Sequence, residues 1–127
     1  MITQDFSYSG KDDLVLGDGV QTDSVVPVTA TAYKRGDLLV VGAGNVGTKS
    51  ADGTDWSVVC LEDVTAEQST AAIAAGMEIP VYTQGELNVQ AVTLDGVALT
   101  DVEQKTARGR ANTATSIELR MPFGTGV

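Results

Sequence analysis

The chain has 127 residues, with 17 Asp and Glu against 8 Lys and Arg, one cysteine and no histidine. That length fits one domain, and a formal net charge of -9 disfavours phosphate backbones and anionic membranes as partners. Without histidine there are no Ser-His or Cys-His nucleophiles and no His-based zinc sites, and a single cysteine closes no internal disulfide.

Residues 1–24 read as an arm. Asp5, Asp12, Asp13, Asp18 and Asp23 face a single Lys11, and the apolar residues fall in two small groups, Phe6/Tyr8 and Leu14/Val15/Leu16. Those groups are too small to bury a face of their own, so an extended segment competes with an ordinary frayed terminus. Phe6 and Tyr8 share one side of an extended chain. The start, Met1 to Asp5, has neither a basic nor an apolar run, so no secretory signal is expected. No apolar stretch approaches the roughly 18 residues that span a bilayer.

Residues 25–127 read as the body. Val25-Val26-Pro27-Val28 suits an edge strand or a strand start, because Pro27 donates no ladder bond. Lys34 to Asp37 predicts a turn, followed by a buried strand over Leu38 to Val41. Asp52-Gly53 marks a turn before the apolar run Trp56 to Leu61. Thr65 to Gln68 fits a capping box, but the following alanines leave a helix and a loop with one helical turn equally open. Met77 to Thr83 predicts a strand, Gln84-Gly85 a tight turn, and Leu87 to Ala91 a strand returning antiparallel. Thr100 to Glu103 forms a second capping box and predicts a helix over 101–108, with Gly109 as its stop. Ser116 to Met121 alternates as a last strand.

Gly42-Ala43-Gly44-Asn45-Val46-Gly47 is a literal G-x-G-x-x-G after a predicted strand, with Asp63 downstream. In a dinucleotide-binding unit such glycines admit a pyrophosphate to a helix N-terminus. The eight residues before Trp56 are too few for a crossover helix, so a hairpin loop fits better than a nucleotide site. Cys60 lies among apolar residues with no basic neighbour, which predicts a buried structural thiol. The acid pairs Asp12-Asp13 and Glu62-Asp63 lack calcium-loop spacing and read as solvated charge. Lys105, Arg108, Arg110 and Arg120 are half of the cations, and against the acidic N-terminal end they hint at contacts between subunits. These residues assemble no catalytic, metal or cofactor constellation.

The succession of motifs resembles lambda-type bacteriophage head decoration proteins over about Ala32 to Leu119. Tyr33-Lys34-Arg35-Gly36-Asp37-Leu38-Leu39 is similar to the segment that opens that family's body, and Val58 to Ala66 to its strand ending in an acidic turn. Ile79 to Asn88 resembles its V-Y-x-x-G hairpin, and Asp101 to Leu119 its closing helix and strand. The resemblance implies an α+β fold, predominantly β: one small domain of short antiparallel strands, barrel- or tulip-like, with one or two short helices and an extended N-terminal arm. It implies no enzyme activity and no cofactor. The expected partners are the major capsid protein and two further copies of the chain, with neither nucleic acid nor membrane. The expected place is the outer surface of the expanded capsid, at three-fold and quasi-three-fold sites, where the family cements the shell. By position in that architecture, Ile2, Thr3, Gln4, Asp5, Phe6, Ser7 and Tyr8 are the expected capsid-binding residues. The alternatives are a virion-displayed glycan- or ligand-binding module, with Trp56, Tyr33 and Tyr82 as its stacking residues, and a nucleotide-dependent enzyme using Gly42 to Gly47.

Overall fold

The computed structural model describes residues 13–121. Its main sheet has the order β1 (Gln21–Val25), β5 (Ile79–Asn88), β4 (Val58–Cys60), β2 (Leu38–Val41) and β3 (Gly47–Lys49), all antiparallel. β8 (Ile117–Arg120) joins β5 in parallel, pairing Gly85 with Ile117 through Asn88 with Arg120. β6 (Thr93–Leu94) and β7 (Val97–Ala98) form a separate hairpin about Asp95-Gly96, both in the left-handed region that this tight turn demands. The helices are α1 (Ala66–Ala75) and α2 (Asp101–Ala114). The fold is thus α+β and mostly β. The sheet is open, but its outer strands meet at Val26, which donates to Asn45 O (2.9 Å) and accepts from Gly47 N (2.9 Å).

Apolar residues pack on both faces of the sheet, which is why β2 and β4 read as unbroken apolar runs. Leu38, Val59 and Leu87 point into the larger cluster with Trp56, Leu119 and Ala107 of α2. Their chain neighbours Leu39, Val58 and Cys60 point the other way, with Val25, Tyr33 and Val81.

Several expectations change. Gln84-Gly85 is not a hairpin turn: β5 runs straight through it. Gly85 sits at φ +130°, and a Cβ there would lie 2.6 Å from Val20 Cγ1 and 2.9 Å from Val20 Cα. The glycine therefore permits a close crossing of backbones beside the register shift between Gln21 and Thr22. Gly109 does not stop α2. Ala107 and Ala111 are buried against the core on either side of it, and that packing carries the helix on to Ala114. The edge strand ends at Val25 instead of beginning there. The alanine stretch after Thr65 is a full helix, closed by Gly76 in the left-handed conformation. Both capping boxes form: Thr65 Oγ1 accepts from Gln68 N (3.1 Å) and Thr100 Oγ1 from Glu103 N (3.2 Å), each reciprocated by the glutamine or glutamate.

Candidate functional site

Ile2, Thr3, Gln4, Asp5, Phe6, Ser7 and Tyr8 lie outside the described residues. The structure does describe where that segment enters the body. Leu14 is 1% exposed and sits in the larger core cluster. Asn88 N donates to Leu14 O (2.7 Å), Leu16 N donates to Glu86 O (3.0 Å), and Val15 bridges Leu87. This short root lies against β5 where β8 also pairs with it. Within the segment read as an arm over residues 1–24, the described residues make these contacts with β5, and β1 pairs with it as well. Leu14 and Val15 are too few to form a face, but they complete a face that β5 and β8 already provide, while Leu16 stays exposed.

Beside the root opens a cleft of about 470 Å³ lined by Asp13, Leu14, Lys34, Arg35, Asp63 and Asn88, among others. The turn from Lys34 to Asp37 positions its basic wall. Asp37 closes that turn by accepting from Lys34 N through Oδ2 (2.9 Å). Its Oδ1 accepts from Thr93 Oγ1 and from Gly96 N (2.8 Å), tying the β6–β7 hairpin to the turn. The carboxylate is buried, so its partners stand in for water. Arg35 turns inward: Nη1 donates to Leu61 O (2.7 Å) and Tyr82 Oη (2.9 Å), and the guanidinium lies 5.5 Å from the Tyr82 ring centre. Its backbone N–H donates to Asp63 Oδ1 (2.9 Å). Arg35 thereby links the turn, the end of β4 and the middle of β5 beside the root. The signal for this clamp was present in Lys-Arg-Gly-Asp, but its targets, a carbonyl and a phenol, are assembled only by the sheet.

The other singled-out motifs fall elsewhere. Gly42 to Gly47 forms the β2–β3 hairpin loop with a single 3-10 turn, and no helix follows it to receive a phosphate. Cys60 is buried, and burial pushes its thiol up to about 12. Glu62-Asp63 is exposed, with Asp63 on the Arg35 backbone. Trp56, Tyr33 and Tyr82 are all core residues. Tyr33 accepts from Val28 N and donates to Gly47 O (2.8 Å each), and burial raises its phenol pKa. With these rings inside, the glycan-binding alternative loses its stacking surface. Among the described residues no group of three metal-ligating side chains occurs, and no helix is long and apolar enough to cross a membrane.

No family model matches the chain, and no curated protein matches it.

Proposed function

We propose that this chain is a capsid decoration protein of a tailed phage, which binds the outside of the expanded head as a trimer and cements it without catalysing a reaction. The observation that carries this reading is the root: the N-terminal segment enters the body through a core leucine and two main-chain hydrogen bonds to β5. An arm that holds a shell by strand addition needs such a fixed origin, because force on the arm must reach the body. In an added strand Ile2, Phe6 and Tyr8 share one face, and main-chain bonds supply affinity while those side chains supply register. The acidic surface keeps the protein off packaged DNA, and three arms engaging together multiply weak individual contacts. The motif succession adds support at three of its four quoted segments, which coincide with the 34–37 turn and β2, with β4 and the α1 cap, and with α2 and β8, whereas Ile79 to Asn88, quoted as a hairpin, is one continuous strand.

The test is co-sedimentation with expanded, undecorated capsids, with unexpanded proheads as control. Saturable binding near one copy per capsid subunit, after expansion only, is expected. Deleting residues 1–9 is expected to leave a folded body that no longer binds. Absence of binding to either shell refutes decoration, and full binding by the truncated chain refutes the arm.

A further inference from the structure

Asn88, the last residue of β5, is only 5% exposed, and it lines the cleft beside the root. Three of its four polar groups are in use. Its backbone N–H donates to Leu14 O (2.7 Å), its carbonyl accepts from Ala91 N (2.9 Å), and its side-chain Oδ1 accepts from Gln90 N (2.9 Å). The Gln90 bond fixes which end of the amide is oxygen, and therefore where Nδ2 must be. Nδ2 carries two N–H groups and donates to none of the described residues. An amide donor this far from bulk water calls for an acceptor, and the cleft is the side from which one can arrive.

The charges around the same cleft narrow what that ligand is. Arg35 turns inward, spending Nη1 on Leu61 O and Tyr82 Oη. Asp13, Asp63 and Lys34 are the exposed charged residues of the lining. Neither carboxylate forms an ion pair among the described residues, and Asp63 uses only Oδ1, on the Arg35 backbone N–H. Two carboxylates against one ammonium, on a chain of net charge -9, favour a cation. A metal ion or a diamine would bring the charge but no acceptor for Nδ2. A phosphate would bring acceptors but face both carboxylates. A peptide with a basic side chain brings a carbonyl and a cation together, and Leu14 and Ala91 supply apolar lining for its stem.

We propose that this cleft binds a short extended segment of a partner protein that carries a lysine or arginine. A main-chain carbonyl of the segment accepts from Asn88 Nδ2, and its cation pairs with Asp13 and Asp63. The volume of about 470 Å³ lies within the range of small-ligand sites and holds a few residues. Nothing in this assignment depends on decoration: it stands on Asn88 and the two carboxylates, whatever protein supplies the segment.

The test is an NMR titration of the full chain at low salt, reading the side-chain amide resonances of Asn88. The probes are the blocked peptide acetyl-Gly-Lys-Gly-amide, its glutamate counterpart, and 1,5-diaminopentane, which has the cation without a carbonyl. The lysine peptide is expected to shift the Asn88 amide with half-saturation at about 1 mM, and the glutamate peptide to bind at least about tenfold more weakly. The diamine is expected to leave that amide unmoved. Asp13→Asn with Asp63→Asn, which keeps the oxygen that the Arg35 N–H uses, should weaken the lysine peptide by about tenfold. No shift with the lysine peptide up to about 20 mM overturns the proposal and leaves Asn88 to water. Equal binding of the two peptides overturns the role of the carboxylates, and an equal shift by the diamine overturns that of the amide. Capsid co-sedimentation fails or succeeds independently of all three probes.

Discussion

Replacing Leu14 by alanine tests whether the N-terminal segment is built into the core. The side chain is 1% exposed among Leu38, Trp56 and Leu87, so truncation removes three buried carbons, about 2.4 kcal/mol at roughly 0.8 kcal/mol each. The rigid sheet on one side and α2 on the other limit collapse into the void, and the residual cavity brings the expected loss to about 3 kcal/mol. In urea, with a slope of about 1.5 kcal/mol per molar, the unfolding midpoint should fall by about 2 M. Leu16→Ala is the internal control: at 39% exposure it should cost about 1.5 kcal/mol, about half the Leu14 loss. A Leu14→Ala loss under about 0.5 kcal/mol would place Leu14 outside the core and refute the reasoning.

The glycines of β5 and α2 should respond oppositely. Gly85→Ala meets Val20 at a positive φ and should destabilise by about 2–4 kcal/mol, whereas Gly109→Ala enters open space in a helix interior and should stabilise by about 0.5–1 kcal/mol, both read by urea unfolding. Asp37→Asn removes the charge that three donors share and should cost about 2–3 kcal/mol, with wild-type stability in the variant refuting its role as the clasp between turn and hairpin. Cys60 titrates near 9.0 when unfolded and is pushed up to about 12 by burial, so above pH 9 the unfolded chain loses a proton that the folded chain keeps. Stability should therefore fall as pH rises through that window, by up to about 1.4 kcal/mol per pH unit from this thiol. Cys60→Ala should flatten the fall, leaving the part due to Tyr33, and an unchanged slope would refute the assignment.

Local chemistry in the sequence was enough to find both capping boxes, the β2 and β4 runs and the hairpin loop of Gly42 to Gly47, because each depends on neighbours within a few residues. Glycine was the main source of error. Gly85 serves a contact with Val20, 65 positions away in the chain, and Gly109 is tolerated because Ala107 and Ala111 anchor the helix around it; neither reason is local. The β6–β7 hairpin escaped notice although Asp95-Gly96 carried its turn signal, since strands of two residues have no readable alternation. The expected binding residues rest on position in the chain, and the clamp made by Arg35 became visible only once Leu61 and Tyr82 were placed beside it.

The pairing of β1 and the root with β5 also fixes an order of events during synthesis. Roughly 60 residues separate Val25 from the strand it must join, so at about 5–20 residues per second the N-terminal segment waits about 3–12 s on the ribosome for its partner. Throughout that interval Leu14, Val15, Leu16 and Val25 lack the strand they pair with. Asp12, Asp13, Asp18 and Asp23 are interspersed among them, and like-charge repulsion between nascent chains is what such gatekeepers provide. The acidity of this stretch protects a strand that must remain unpaired until the middle of the protein has been made.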